Sequence, residues 1–255
     1  MTTQRTQGSL YTNIVNRIAT IEFGHPASNS FPSILLSRLT KELERVSTLD
    51  EVSVIILKSE GDKTFCAGAS FDELVAIDNF EGGKKFFSGF ANVINAMRAC
   101  SKLIIGCVQG KAVGGGVGLI AACDYVLATE AASIKLSELT IGIGPFVIAP
   151  AIERKIGVSG LAELSLAATE WKNAYWAKEK GLFSSVFESK NELTKETEFL
   201  AEKLASYNPD AITELKKVLW KGTENWDSLL LKRAEITGKL VLSNFTKNAL
   251  SKFKK

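Results

Sequence analysis

The chain has 255 residues, 45% hydrophobic and 23% charged, without a low-complexity tract. That length suits one large α/β domain with a helical appendage and leaves ample material for a core. A formal net charge of +3 is too small to argue for a nucleic-acid partner.

The N-terminal MTTQRTQGS has no apolar core, which argues against a signal peptide, and no apolar run approaches the ~18 residues of a membrane span. Residues 9–23, SLYTNIVNRIATIEF, hold two β-branched runs joined by Asn16-Arg17, the pattern of a hairpin. The single histidine, His25, follows in the turn-rich FGHPASNS and reads as a surface or packing residue. With one histidine there is no histidine-rich metal site, so acid–base chemistry falls to a carboxylate. Residues 31–47 place apolar side chains at helical spacing.

Short apolar runs at 52–59, 102–108, 125–130 and 182–188 have strand length, with helical stretches around 81–99 and 116–123. Strands alternating with helices predict an α/β domain with largely parallel pairing. Beyond about 191 the strand signal stops, and ELTKETEFLAEKLASY, DAITELKKVLWKG and SLLLKRAEITGKLVLSN read as amphipathic helices. This tail is too short for a core of its own and must pack its apolar faces on a neighbour, within the chain or across subunits. The domain reading is therefore a core of 1–190 and a helical region of 191–255. Cys66, Cys100, Cys107 and Cys123 lie in or beside apolar segments without CxxC spacing, which predicts reduced, buried thiols and a cytoplasmic protein.

Residues 111–124, KAVGGGVGLIAACD, put three glycines in a row and a fourth at Gly118. A P-loop is excluded, because Val117 and Leu119 stand where lysine and Ser or Thr are needed. Gly116 to Ala121 satisfies the GxGxxA of a dinucleotide site, and Glu138 lies twenty residues beyond Gly118. That acid should end the next strand of the same unit, yet a further apolar run, ASIKLSE, intervenes. Glycines for close helix–strand packing alone are another reading. A second stretch, TFCAGASFDEL (64–74), also leaves a strand and enters a helix through small residues. Two such turns can aim two backbone N–H groups at one point, the geometry of an oxyanion hole.

On IATIEF, FCAGASF, GKAVGGGVGLIAACDYVLATEAASIKLSELTIGI, ERKIG and AKEKGL, the chain resembles the enoyl-CoA hydratase/isomerase (crotonase) family over most of residues 17–190. The resemblance implies an α/β spiral of ββα units, a C-terminal helical region that forms trimers or hexamers, and acyl-CoA substrates. It implies oxyanion donors at Ala69 and Gly115, with Ser70, Phe71 and Asp72 along the CoA and pantetheine groove and Ala67 beside the adenine. Glu138 matches one of the family's two catalytic glutamates. The other is replaced by Gly118, which would leave space in the substrate site for water or an anion. The C-terminal Lys252, Lys254 and Lys255 are candidates for the CoA phosphates.

Glu138 is the only acid between Ala131 and Ile152, and an apolar setting moves a carboxylate towards general acid–base behaviour. One carboxylate suffices to move a double bond, whereas hydration usually divides its work between two. The expected activity is double-bond isomerisation or hydration of an enoyl-CoA, without metal or cofactor, CoA being part of the substrate. A catalytically impaired acyl-CoA-binding or scaffold homologue and a nucleotide-dependent oxidoreductase are the alternatives. Phe86, Phe87 and Phe90, at helical spacing, are expected in the core rather than in the pocket wall.

Overall fold

Asn16 and Arg17 both take left-handed backbone, with φ of 50° and 66°. Two such residues make the tight turn whose twist suits a hairpin. They join β1 (Ser9–Val15) to β2 (Ile18–Gly24) in antiparallel register. The computed structural model describes residues 7–252. In it, β3 (Val54–Ser59), β5 (Leu103–Val108), β7 (Tyr125–Thr129) and β10 (Ser185–Phe187) extend the sheet by parallel pairing, in the order β1-β2-β3-β5-β7-β10.

Side-chain alternation divides the two faces of this sheet. Ile55, Leu57 and Ile104 enter the main core with α1 (Ser33–Ser47). Val54, Ile56, Ile105 and Cys107 point the other way, where Leu193 and Ala201 of α7 (Lys190–Ala205) cover them. Strands buried on both faces read as continuous apolar runs, which is why 52–59 and 102–108 were visible in the sequence.

A second sheet had no such signal. It consists of β4 (Thr64–Cys66), β6 (Lys111–Val113), β8 (Ser133–Lys135) and β9 (Lys172–Asn173), in that order. Runs of two or three residues are too short to show a period. The chain alternates between sheets: β3–β4, β5–β6 and β7–β8 each place one strand in either sheet. The pairs are followed by α2 (Phe71–Val75) with α3 (Phe80–Ala99), by α4 (Gly115–Ala122), and by α5 (Ala149–Leu166). β4, β6 and β8 are adjacent and parallel, so their carboxyl ends open on one edge. Crevices outside the carboxyl ends of parallel strands are where α/β folds bind ligands.

After α6 (Ala174–Glu179) and α7, the tail continues as α8 (Pro209–Leu219), α9 (Trp226–Leu240) and α10 (Asn244–Ser251). The stretch from 228 to 244 was read as one helix, but Ser243 ends it by accepting from the Thr246 N–H and starting α10. These helices find their neighbours within the chain. α9 crosses α3 at backbone contact, where a Cβ on Gly83 would lie 2.9 Å from the Gly238 carbonyl oxygen. All four cysteines are buried and free. Among the described residues no helix is long and apolar enough to cross a membrane, and no cluster of His, Cys, Asp and Glu could hold a metal ion.

Asp124, just after α4, ties the tail to the core. Its Oδ2 accepts from the Ile104 N–H at 2.8 Å and lies 3.1 Å from Lys216 Nζ, while Oδ1 accepts from Trp220 Nε1 at 2.6 Å. Lys216 also donates to the Lys102 carbonyl, and both ionic side chains are only 3% exposed. Removing one partner of such a pair strands a charge in the interior. Asp124→Asn is expected to lower unfolding free energy by about 3–5 kcal/mol in urea titrations.

Candidate active site

Three neighbouring strand ends each supply one wall of a single cavity of about 180 Å³. Ala67, Gly68 and Ala69 come from the exit of β4, Gly114 and Gly115 from that of β6, and Ser137 and Glu138 from that of β8. The remaining lining is apolar and includes Phe71, Phe86, Phe87, Phe90, Ile143 and Ile148.

The first turn is fixed to α1's entry segment. Phe31 N–H donates to Gly68 O and Ser70 N–H donates to Phe31 O, while Ala67 N–H donates to Ser28 O. Ala69 N–H is left with no protein acceptor among the described residues. The second turn has the same feature for a different reason. Gly115 is the first residue of α4, and the first N–H groups of a helix have no partner within it. Gly114 enters that helix with φ 53° and Gly68 turns with φ 89°, conformations that side-chain-bearing residues rarely adopt. A Cβ on Gly68 would stand 3.0 Å from Val113 O and 3.6 Å from Gly115 N, so the two turns abut.

Glu138 opens the 3-10 turn Glu138–Ile141 and lays its carboxylate over the second turn; a Cβ on Gly114 would be 2.8 Å from Glu138 Oε1. The residue as a whole is half-buried, but Oε2 is closed off from solvent and has no hydrogen-bond partner. Burial raises its pKa from the ordinary carboxylate value to about 7, outweighing the opposing hydrogen bond from its own N–H. The turn is backed by α10. Gly142, at φ 81°, is so close that a Cβ there would sit 2.4 Å from the Phe245 ring and 2.6 Å from Thr246 Oγ1.

The cavity brings together Ala67, Ala69, Phe71, Gly115 and Glu138. Ser70 and Asp72 do not line it: Ser70 is buried and caps α2 by accepting from Glu73 N–H, and Asp72 is exposed. Gly118 does not line it either. It is buried within α4, and a Cβ there would lie 2.4 Å from Ile148 Cγ2. The expected space for water or an anion is therefore filled by Ile148. Phe86, Phe87 and Phe90 were expected in the core rather than the pocket wall; Phe86 and Phe90 are buried in the core, and all three also wall the cavity. Sequence reasoning missed Ile148 and Thr237; the apolar run LTIGIGPFVI was a signal for the first, and nothing marked the second. His25 accepts from Ala27 N–H inside its own loop, away from the cavity. The dinucleotide reading fails on geometry, since Glu138 ends no strand and faces Gly114. Lys252 is exposed, and Lys254 and Lys255 lie outside the described residues.

The family model for "Enoyl-CoA hydratase/isomerase" matches residues 13–250. The chain belongs to the enoyl-CoA hydratase/isomerase family. It is 29% identical over 236 residues to the peroxisomal Delta(3,5)-Delta(2,4)-dienoyl-CoA isomerase of Arabidopsis thaliana, covering 87% of this chain and 81% of that one. It is 32% identical over 219 residues to the 2,3-dehydroadipyl-CoA hydratase of Escherichia coli, covering 82% and 80%. The solved structure of an enoyl-CoA hydratase from Bacillus halodurans superposes with a TM-score of 0.88 at 21% identity, covering 95% and 99%, which places this α/β chain in the same fold. The protein is thus an enzyme of the enoyl-CoA hydratase/isomerase family with the crotonase fold.

The raised pKa has a consequence for stability. Folding holds a proton on Glu138 that the unfolded chain releases between its usual 4.5 and the folded value of about 7. That contribution is full below about 4.5 and is lost as pH rises through about 7. Glu138→Gln stays neutral throughout. Its melting temperature should exceed that of the natural protein at pH 8 and match it near pH 4.5 in calorimetric scans.

Proposed function

We propose that the enzyme binds a 3-enoyl-CoA thioester and moves its double bond to the 2-position, with Glu138 carrying the proton. The observation that carries this reading is that Glu138 is the only ionisable group lining the cavity among the described residues. The ionised carboxylate removes a proton from C2. The electron pair moves through the double bond and thioester carbonyl, leaving the negative charge on the thioester oxygen. Ala69 N–H and Gly115 N–H donate to that oxygen, each worth roughly 3 kcal/mol at the transition state. The same carboxyl group then returns the proton to C4, and the 2-enoyl thioester forms. A base with a pKa of about 7 suits both halves of this exchange near neutrality.

Hydration usually employs a second group to activate water, and position 118 offers none because Ile148 packs against its backbone. CoA arrives with the substrate, so this chemistry calls for no metal or further cofactor. Four buried free thiols support assignment to the reducing cytoplasm. The tail supports a homotrimer or a multiple of it. After docking within the chain, Leu215, Val218 and Leu219 on α8, Ile236 and Leu240 on α9, and Phe245 on α10 remain exposed.

Glu138→Gln keeps the shape of the site and its N–H donors, so acyl-CoA binding should persist while turnover falls by about two orders of magnitude or more. In the natural protein, turnover should rise with pH through about 7, as the carboxylate forms. Assays of 3-enoyl-CoA isomerisation beside crotonyl-CoA hydration test the reaction itself; faster hydration would reverse the assignment. Gly118→Glu alone should destabilise by overpacking against Ile148, by about 1–3 kcal/mol. Gly118→Glu combined with Ile148→Ala should fold and raise hydration. Light scattering at micromolar concentration is expected to give a mass that is a multiple of three chains, and a monomer would contradict the tail's assigned role.

A further inference from the structure

We infer that the acyl group this site accepts is compact and uncharged, reaching at most about six or seven non-hydrogen atoms, because the seam between α3 and α9 closes the pocket. The inference rests on the acyl-thioester reading above and adds the class of acyl chain.

Three observations converge on it. The first is volume. The cavity holds about 180 Å³, and an apolar protein cavity of about 150 Å³ accommodates one benzene ring. That leaves room for roughly six or seven carbon-sized atoms, part of it taken by the thioester itself.

The second is the closed end. Phe86, Phe87 and Phe90 on α3 line the cavity together with Ile143 and Ile148, and Thr237 of α9 joins the same lining. Thr237 is only 2% exposed and its Oγ1 donates to the Arg233 carbonyl. The next residue, Gly238, is where the helices touch: a Cβ there would meet Lys84 N at 2.7 Å. Where backbone meets backbone at Gly83, Lys84 and Gly238, a longer chain cannot pass between α3 and α9. A small side-chain rearrangement cannot open such a seam, since the touching atoms belong to two helix axes.

The third is charge. Among the described residues the lining supplies no ionisable group beyond Glu138, and none of it is cationic. A carboxylate at the far end of the acyl chain would be desolvated without a partner, and it would share the cavity with Glu138. This chain's pocket therefore selects against dicarboxylic acyl groups, in contrast to the substrate named for its Escherichia coli relative.

Saturated acyl-CoAs test this independently of which reaction the enzyme performs, because they bind without turning over. Calorimetric titration of the whole protein with CoA, butyryl-, hexanoyl-, decanoyl-, tetradecanoyl- and adipyl-CoA gives the affinity profile. Hexanoyl-CoA is expected to bind at least tenfold tighter than CoA. Decanoyl-, tetradecanoyl- and adipyl-CoA should each bind at least tenfold more weakly than hexanoyl-CoA. Affinity that climbs steadily to tetradecanoyl-CoA, or adipyl-CoA equal to hexanoyl-CoA, would overturn the inference while leaving the acyl-thioester reading intact. Failure of every thioester to bind better than CoA would instead overturn that reading. Phe87→Ala removes part of the wall without touching Ala69, Gly115 or Glu138. Because the Gly83–Gly238 backbone contact remains, decanoyl-CoA affinity should stay within twofold of the natural protein's, and a fivefold gain would overturn the seam as the limit.

Discussion

Two backbone turns from different strands lie in direct contact, and the rest of the site depends on that approach. A Cβ on Gly116 would be 2.6 Å from Cys66 O, and one on Gly68 would be 3.0 Å from Val113 O. Side chains at either place would push the turns apart by more than a hydrogen bond tolerates. Only with glycine at both contact points do the Ala69 and Gly115 turns line one cavity. The small sheet enforces the arrangement, since β4 and β6 pair in parallel immediately before the turns. Parallel neighbours about 4.8 Å apart deliver their exits side by side. The third neighbour, β8, then delivers Glu138 by the same geometry.

Two buried carboxylates in this protein show how partners decide what burial does. Asp124 has donors on both oxygens and a lysine alongside, and it works as a fixed structural node. Glu138 is enclosed by glycine backbone and apolar side chains, with one oxygen unpaired. Its charge is correspondingly costly, and its proton is exchangeable near neutrality. The enzyme places the two carboxylates at opposite ends of the glycine-rich segment: Glu138 lies over Gly114, and Asp124 follows α4.

The C-terminal helices take part in the site as well as in any assembly. α10 presses on Gly142 and so holds the turn that begins with Glu138, and α9 brings Thr237 to the cavity wall. α7 covers the outer face of the large sheet, so that face of the core draws on both sides of residue 190. The Lys216–Asp124 pair fastens α8 to β5, one strand before the β6 that leads into Gly114 and Gly115.

The sequence alone determined the elements whose signals are local. The hairpin at Asn16-Arg17, the long buried strands and the amphipathic tail follow from turn chemistry and periodicity, both readable within a dozen residues. The two glycine-bearing turns and Glu138 were legible too, because small residues at strand exits and a lone acid in an apolar run are compositional facts. Tertiary structure decided what occupied the remaining space. Strands of three residues carry no period, so the sheet that aligns the turns was invisible. Gly118 was legible as a missing carboxylate, but only packing showed Ile148 in its place. The aromatic trio sits at core spacing and also walls the cavity, a distinction fixed by α9 crossing α3 more than a hundred residues later. Such contacts depend on distances between segments far apart in the chain, and no local pattern of residues encodes them.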